Sequence, residues 1–532
     1  MITEKPVKIF FNARIISMSD NVGIVNAMVI ENGKIQAVGD YDQICNIYGQ
    51  HGNIQWIDVN GKSIIPGLID AHCHFTIGAF SSLWHDFSKG NIANLANIPG
   101  TGWIRGRQPP HWGDHLSLQD LDKLTPNRPA IIVEQGYHGC ALNSYARTML
   151  INGNEGDHFN NLLRRPETMA KGTLTDLPDI LSRPKENSSA VFETAMGWAE
   201  NESRDWFQRE NYNLLIDLLE HHSLQFIHKG ITCVCDAAVT PQMQFLLQDA
   251  DIRGKLPLEV IMLVVGKHGF YESPIERLEK RPSENFIKAI KIFIDGGRQS
   301  LIEHPSGKME GLQHYDYLEI AEWIQKTSNV GLKLACHAMG NGATKLILDA
   351  YQWAAQNSDI SPDNIRIEHA ALLTEKLISR LSDSRIGIVT QPHWIKWLGR
   401  HWIKAPYTNI KFMPLKSLIA AGVPLAGSSD CTDGPISSPF ESMKLAITRE
   451  VSDGVCLDSE EIVSPLEVLK MYTKDAALLC DVLHDRGTLD VGKRADFVIL
   501  DGDPLYTDDI IHDRLSIIST YISGQPFMNP ER

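Results

Sequence analysis

Eight apolar segments, most separated from the next by enough chain for a helix, constrain this protein more than any other feature of it. They read GLIDAHCHF (67–75), ITCVCDA (231–237), LPLEVIMLVVG (256–266), AIKIFIDGG (289–297), GLKLACHA (331–338), NIRIEHA (364–370), IGIVTQPH (386–393) and VPLAGSSD (423–430). Several are continuous apolar runs, which suits parallel strands buried on both faces. Eight such strands with intervening helices are the pattern of an α/β fold, the (β/α)8 barrel. The interval between the first two segments is too long for one helical crossover. An insertion is therefore expected over about 80–225, where RPAIIVEQGYHGCALNSYA (128–146) reads as a strand leading into a loop and a helix.

The two ends of the chain have another rhythm. VKIFFNARIISM (7–18), VNAMVIENGKIQAVG (25–39) and GKSIIPGLID (61–70) are rich in Ile, Val and Phe, with turn signals at Asn32-Gly33 and Asn60-Gly61. GTLDVGKRADFVILDGDPL (487–505) and IISTYISGQPF (517–527) look similar. A small β-sandwich domain built from residues 1–65 and 480–532 is expected, with the barrel, 66–479, between its halves.

The bulk numbers narrow the class. The 532 residues, 43% hydrophobic and 22% charged, are ordinary for a globular enzyme. A formal net charge of −15 and the lack of a Lys/Arg run disfavour nucleic acid as a partner. The N-terminus carries no basic start followed by an apolar stretch, and no apolar run is long enough to span a bilayer. Nine scattered cysteines, with Cys233 and Cys235 in neither a zinc nor a redox spacing, read as reduced thiols of a cytoplasmic protein.

In a barrel of this type, functional groups sit where strands end. The first segment ends with His72 and His74, the fifth with His337, the sixth with His369 and the eighth with Asp430. Side-chain alternation puts His72 and His74 on one face. Each of these residues alone is compatible with a bland role: a hydrogen-bonded histidine, or, for Asp430, a helix N-cap. Four strand ends agreeing on metal-compatible groups favour a metal site. Lys291, within the fourth segment, is costly in an apolar strand. It is either paired with a carboxylate or an amine whose pKa has fallen, able to take up CO2 as a carbamate that bridges two metal ions.

This order of residues resembles the amidohydrolase superfamily, and PGLIDAHCHF and GTLDVGKRADFVILDGDP look like its two hallmarks. GWIRG (102–106), KIFIDGG, CHAMGNGA, IRIEHA, TQPHW, AGSSDCTDGP and YTKDAA are similar to its YtcJ-like group, the amidohydrolase 3 family. The resemblance implies two divalent ions, Zn2+ by preference of imidazole-rich sites. His72, His74 and Asp430 would hold the more buried ion, and His337 and His369 the other. A carboxylated Lys291 would bridge them. Asp430 would accept the proton of the attacking, metal-activated water. It also implies a homodimer. Gly136 stands where the family carries Asp, Ala141 where it carries Trp, and Asn341 where it carries Asp. These departures touch the pocket, not the ligands.

The function so implied is a metal-dependent amidohydrolase acting on a non-peptide C–N bond (amide, N-substituted formamide or cyclic imide) of a small molecule, aromatic ones included. Candidate substrate contacts are His138, Asn143, Trp84, Arg105 and His393, each also open to a structural role, which for the aromatic cluster with Trp84 and His393 is the more common one. A lactonase or esterase would use the same site. A mononuclear deaminase fits less well, because AMGNGA after His337 contains no Glu and Lys291 would be idle. A non-catalytic scaffold would be expected to have lost ligands, and none is missing.

Overall fold

In this computed structural model the described residues are 6–528, apart from 50–51, 88–91, 109–116, 135, 154–155, 164–188, 267–274, 276–286, 298, 404–406, 408, 433–435 and 452–453. Each of the eight apolar segments forms a strand: Leu68–Cys73, Ile231–Val239, Glu259–Val264, Ile287–Phe293, Lys333–Ala338, Ile365–His369, Gly387–Thr390 and Leu425–Gly427. They pair in parallel in chain order, first to eighth. The protein is thus an α/β barrel, as the segment pattern indicates.

Its interior is lined by small side chains. Ala71, Cys233, Cys235, Ala237, Ala289, Ala335 and Ala426 join Ile69, Ile261, Leu263 and Val389, over a floor of Ala476, Ala477, Leu479 and Cys480. A Cβ on Gly387 would come within 2.2 Å of Leu479, so the floor fits closely against the seventh strand. This choice of residues has a consequence. Narrow interior walls leave volume for three long polar side chains on the same strands, Lys291, Arg366 and Glu368, all buried.

Both chain ends build one sandwich. One sheet joins Lys34–Gly39, Ala27–Glu31, Val7–Phe11 and Ile54–Asp58. The other joins Gln525–Met528, Ser516–Ile522, Phe497–Asp501, Ser63–Pro66, Arg14–Ile16 and Ile24–Val25. Asn32 and Gly33 both have positive φ, 51° and 78°, the geometry that lets a two-residue turn join twisted strands. The same device recurs at Ser523-Gly524. The sequence reading did not foresee the helix Tyr41–Tyr48, which Asp40 caps by accepting from Asp42 N.

Between the first two barrel strands lies a five-stranded sheet: Ala190–Phe192, Gly139–Leu142, Ala130–Glu134, Ile104–Gln108 and His85–Asp86. The stretch read as strand, loop and helix contains a second strand as well, Gly139–Leu142, folded back antiparallel on Ala130–Glu134. The helix Glu193–Glu210 follows this sheet and runs beside the barrel mouth.

The sandwich core centres on Phe497, stacked on Tyr521 at 4.3 Å and met edge-on by Phe10 at 5.1 Å. Phe497→Ala should cost about 3–5 kcal/mol, read as an earlier urea unfolding transition.

Candidate metal centre

The barrel closes where the candidate ligands stand. Asp430 N donates to His72 O at 2.8 Å, His74 N donates to Cys431 O at 2.9 Å, and Ser429 N donates to the Asp70 carboxylate at 2.9 Å. Joining the first strand to the eighth therefore also brings His72, His74 and Asp430 together. His72 Nε2 and His74 Nε2 each lie 3.3 Å from Asp430 Oδ1, and one ligand atom from each of the three falls within 4.8 Å of the others. His369 lies 5.0 Å from His72 and 4.6 Å from His337, ring centre to ring centre. Lys291 completes the group, and all six residues line one cavity of about 100 Å3.

The backbone bends to achieve this. Strict alternation would send Glu368 and His369 to opposite sides of the sixth strand. His369 has φ +77°, which turns its ring to the same side as its neighbour. Asp430, at φ +45°, is turned likewise. Non-glycine residues in this region cost roughly 1–3 kcal/mol and persist where surrounding structure enforces them, commonly at functional sites.

Three of the four imidazoles have one nitrogen tied, which leaves the other for the cavity. His72 Nδ1 faces Glu368 Oε2 at 2.5 Å. His74 Nδ1 donates to Ala237 O at 2.9 Å. His369 Nδ1 donates to Gln391 Oε1 at 2.9 Å, and the Gln391 amide is fixed in turn by donating to Ser428 Oγ. His337 Nε2 lies 3.7 Å from Asp295 Oδ1, too far for a hydrogen bond; that carboxylate accepts from Leu301, Met339 and Gly340 N. Burial holds His74, His337 and His369 below the ordinary imidazole range, so they keep free electron pairs at neutral pH. Burial presses on His72 too, but the Glu368 and Asp430 carboxylates outweigh it.

Two orphaned atoms test whether this pocket suits cations held through an anionic bridge. Among the described residues, Lys291 Nζ is buried without a hydrogen-bond partner, and so is His337 Nε2. Burial pulls the Lys291 amine down to about 8, against the opposing effect of Glu368 and Asp430. Four imidazoles, a carboxylate and an amine available as a neutral nucleophile form a donor set that fits a pair of divalent ions.

Of the five candidate substrate contacts, the structure brings only His138 into the cavity lining. Asn143 is a correction: it is fully buried as the N-cap of Ser144–Ile151, where Oδ1 accepts from Ala146 N and Nδ2 donates to Thr125 and Arg128. Arg105 is another: the carboxylate it meets is Glu200 of the same chain, at 2.6 Å, and it stacks on Trp84. Trp84 is buried there against Tyr137, and His393 is buried beside Trp394; neither borders the cavity. Trp394 instead stacks on His369 at 5.3 Å. Cys73 and Cys336 point into the packed layer outside the strands, as alternation suggests.

Fold and site together define a metal-dependent hydrolase on a (β/α)8 barrel. A family model described as "Amidohydrolase family" matches residues 55–528, and the chain belongs to that family. It is 27% identical to the N-substituted formamide deformylase of Arthrobacter pascens, over 96% of either chain. It is also 27% identical to the putative amidohydrolase YtcJ of Bacillus subtilis, over 94% of this chain and 95% of that one. A solved metal-dependent hydrolase from Pyrococcus furiosus shares its fold, with a TM-score of 0.68 and 24% identity over 94% of this chain and 100% of that one.

Glu368, Arg366, Asp295 and Gln391 were not foreseen as parts of the site. Arg366 and Glu368 carried a readable signal, because two charges at i and i+2 in an apolar strand are as anomalous as Lys291. Arg366 clamps Glu368 through Nε and Nη2, at 2.6 and 2.9 Å. Glu368→Ala should weaken metal binding about 10- to 100-fold in chelator competition, and Glu368→Gln less.

Proposed function

We propose that this protein hydrolyses the C–N bond of a small N-substituted formamide or related amide or cyclic imide. The observation that carries the reading is the buried Lys291 amine, without a hydrogen-bond partner among the described residues, in a cavity lined by four imidazoles and Asp430. Burial disfavours an ammonium there, against the pull of Glu368 and Asp430, and the neutral amine can add to CO2. The N–C bond would form as the amine gives up a proton, and the resulting carbamate would offer anionic oxygen to the ions. His72, His74 and Asp430 would hold one ion, His337 and His369 the other, with Lys291 between them. Two divalent ions, zinc by preference of imidazole-rich sites, would lower the pKa of water and polarise the scissile carbonyl.

The chain's own groups supply the rest. An Asp430 carboxylate oxygen takes the proton of the attacking water and returns it to the leaving nitrogen. Glu368, Gln391 and Ala237 O keep His72, His369 and His74 in the tautomer that aims Nε2 inward. Ile77, Tyr137, Met196, Val265 and Phe293 make one side of the cavity apolar, which suits an alkyl or aryl substituent. The activity in the name of the Arthrobacter relative supports the formamide class. The free state of all nine cysteines agrees with a reducing, cytoplasmic setting. A two-fold dimer is the assembly we expect. No described helix is long and apolar enough to cross a membrane.

The test is hydrolysis of N-alkyl and N-aryl formamides, simple amides, cyclic imides, esters and lactones by the purified protein. Formate or amine release that chelation abolishes and zinc restores is the expected result. Turnover of lactones or esters with none of any amide or imide would replace this reading with a lactonase.

A further inference from the structure

The metal centre faces a second pair of groups that the barrel does not supply. We propose that His138, held by Glu193, is a catalytic residue contributed by the insertion: its imidazole hydrogen-bonds the amide being cleaved. This rests on the hydrolase reading above.

His138 arrives on a sharply turned segment. Gly136 has φ +96° and Tyr137, not a glycine, φ +59°. Glu193 opens the helix Glu193–Glu210 at φ +50°, again without being a glycine, and is almost fully buried. Its amide donates to His138 O at 3.0 Å, which locks the two segments together. Its carboxylate Oε2 lies 3.2 Å from His138 Nδ1. Two non-glycine residues in left-handed backbone, one on each side of a single contact, represent strain that surrounding structure must enforce.

The barrel is shaped around this pair. Gly296 and Gly297 follow the fourth strand, three and four residues after Phe293. A Cβ on Gly296 would approach Glu193 Oε1 to 2.7 Å, and one on Gly297 would approach His138 Nε2 to 2.0 Å. Any side chain at either position would displace the pair. Gly297 N also points at His138 Nδ1, at 3.3 Å. Nδ1 thus has a carboxylate acceptor when it carries a proton and an amide donor when it does not.

The remaining nitrogen is free for a ligand. Among the described residues Nε2 makes no hydrogen bond, and the side chain is 29% exposed while Glu193 beneath it is 1% exposed. The His138 ring lies 5.8 Å from that of His337, and both residues line the same cavity. A substrate small enough to enter and reach the ligand cluster passes within hydrogen-bond range of this imidazole. Glu193 acts through His138 and is a positioning residue.

The experiment compares His138→Ala, His138→Asn and Glu193→Gln with the unaltered protein. Its readouts are metal per chain, thermal midpoint, and kcat and KM on the best formamide or amide. His138→Ala should lower kcat/KM about 10²–10³-fold, mostly in kcat, with metal content and midpoint unchanged. Added imidazole should restore part of the rate. Glu193→Gln should lose about tenfold. Retention of full kcat/KM by His138→Ala would overturn the proposal. So would loss of metal or of thermal stability in step with activity, which would make the pair a latch for the insertion. If the unaltered protein cleaves no amide, the hydrolase reading fails first. Acetohydroxamate binding to the cobalt-loaded protein, followed in the visible spectrum, then decides the question for His138. Affinity about tenfold weaker in His138→Ala sustains the contact, and equal affinity overturns it.

Discussion

Everything at the mouth of this barrel hangs on one buried chain of charges, Arg366 to Glu368 to His72. Glu368 is 0% exposed and Arg366 is 1% exposed, at the axis of the barrel. Desolvating both is costly, and a buried pair of this kind holds only when its remaining hydrogen-bonding capacity is met. Here it is met from three directions. Arg366 donates to Ala71 O on the first strand, at 2.7 Å, and to Leu479 O on the floor, at 3.3 Å, besides gripping both oxygens of Glu368. The small interior residues make room for this chain, and the chain fixes His72. Because His72 O also receives Asp430 N at the closure seam, the floor, the seam and the metal pocket form one connected unit.

The cavity above is shared between two parts of the chain with different duties. Strands of the barrel, and the residues just beyond the first and eighth of them, supply every candidate ligand. The segment between the first two strands supplies Tyr137, His138, Glu193 and Met196 to the same lining. The candidate ligands are thus held by hydrogen bonds of the barrel, while His138 and Glu193 come from the segment between its first two strands.

How much of this was legible in the sequence depends on the range over which each feature is encoded. The eight strands and the HxH pair are local patterns, and they were readable. Lys291 stood out because its environment is apolar. His369 was named correctly as a strand-end group, yet its orientation depends on a left-handed backbone that no periodicity reveals. Asn143 was misjudged because it lies in a loop, although it precedes a helix and has the residue type of an N-cap. Glu193 lies 55 residues from His138 and carries no local mark, so only the folded insertion brings the two together.

The central claim is that Lys291 is an anionic bridge between two ions and not a stray buried cation. The most direct measurement is metal per chain by mass spectrometry, with 13C NMR of protein reconstituted in labelled bicarbonate, for the unaltered protein and Lys291→Ala. The account predicts close to two ions and a carbamate resonance, with the resonance absent and the metal content reduced in the variant. One tightly held ion, no carbamate resonance and no change on removing Lys291 would contradict it.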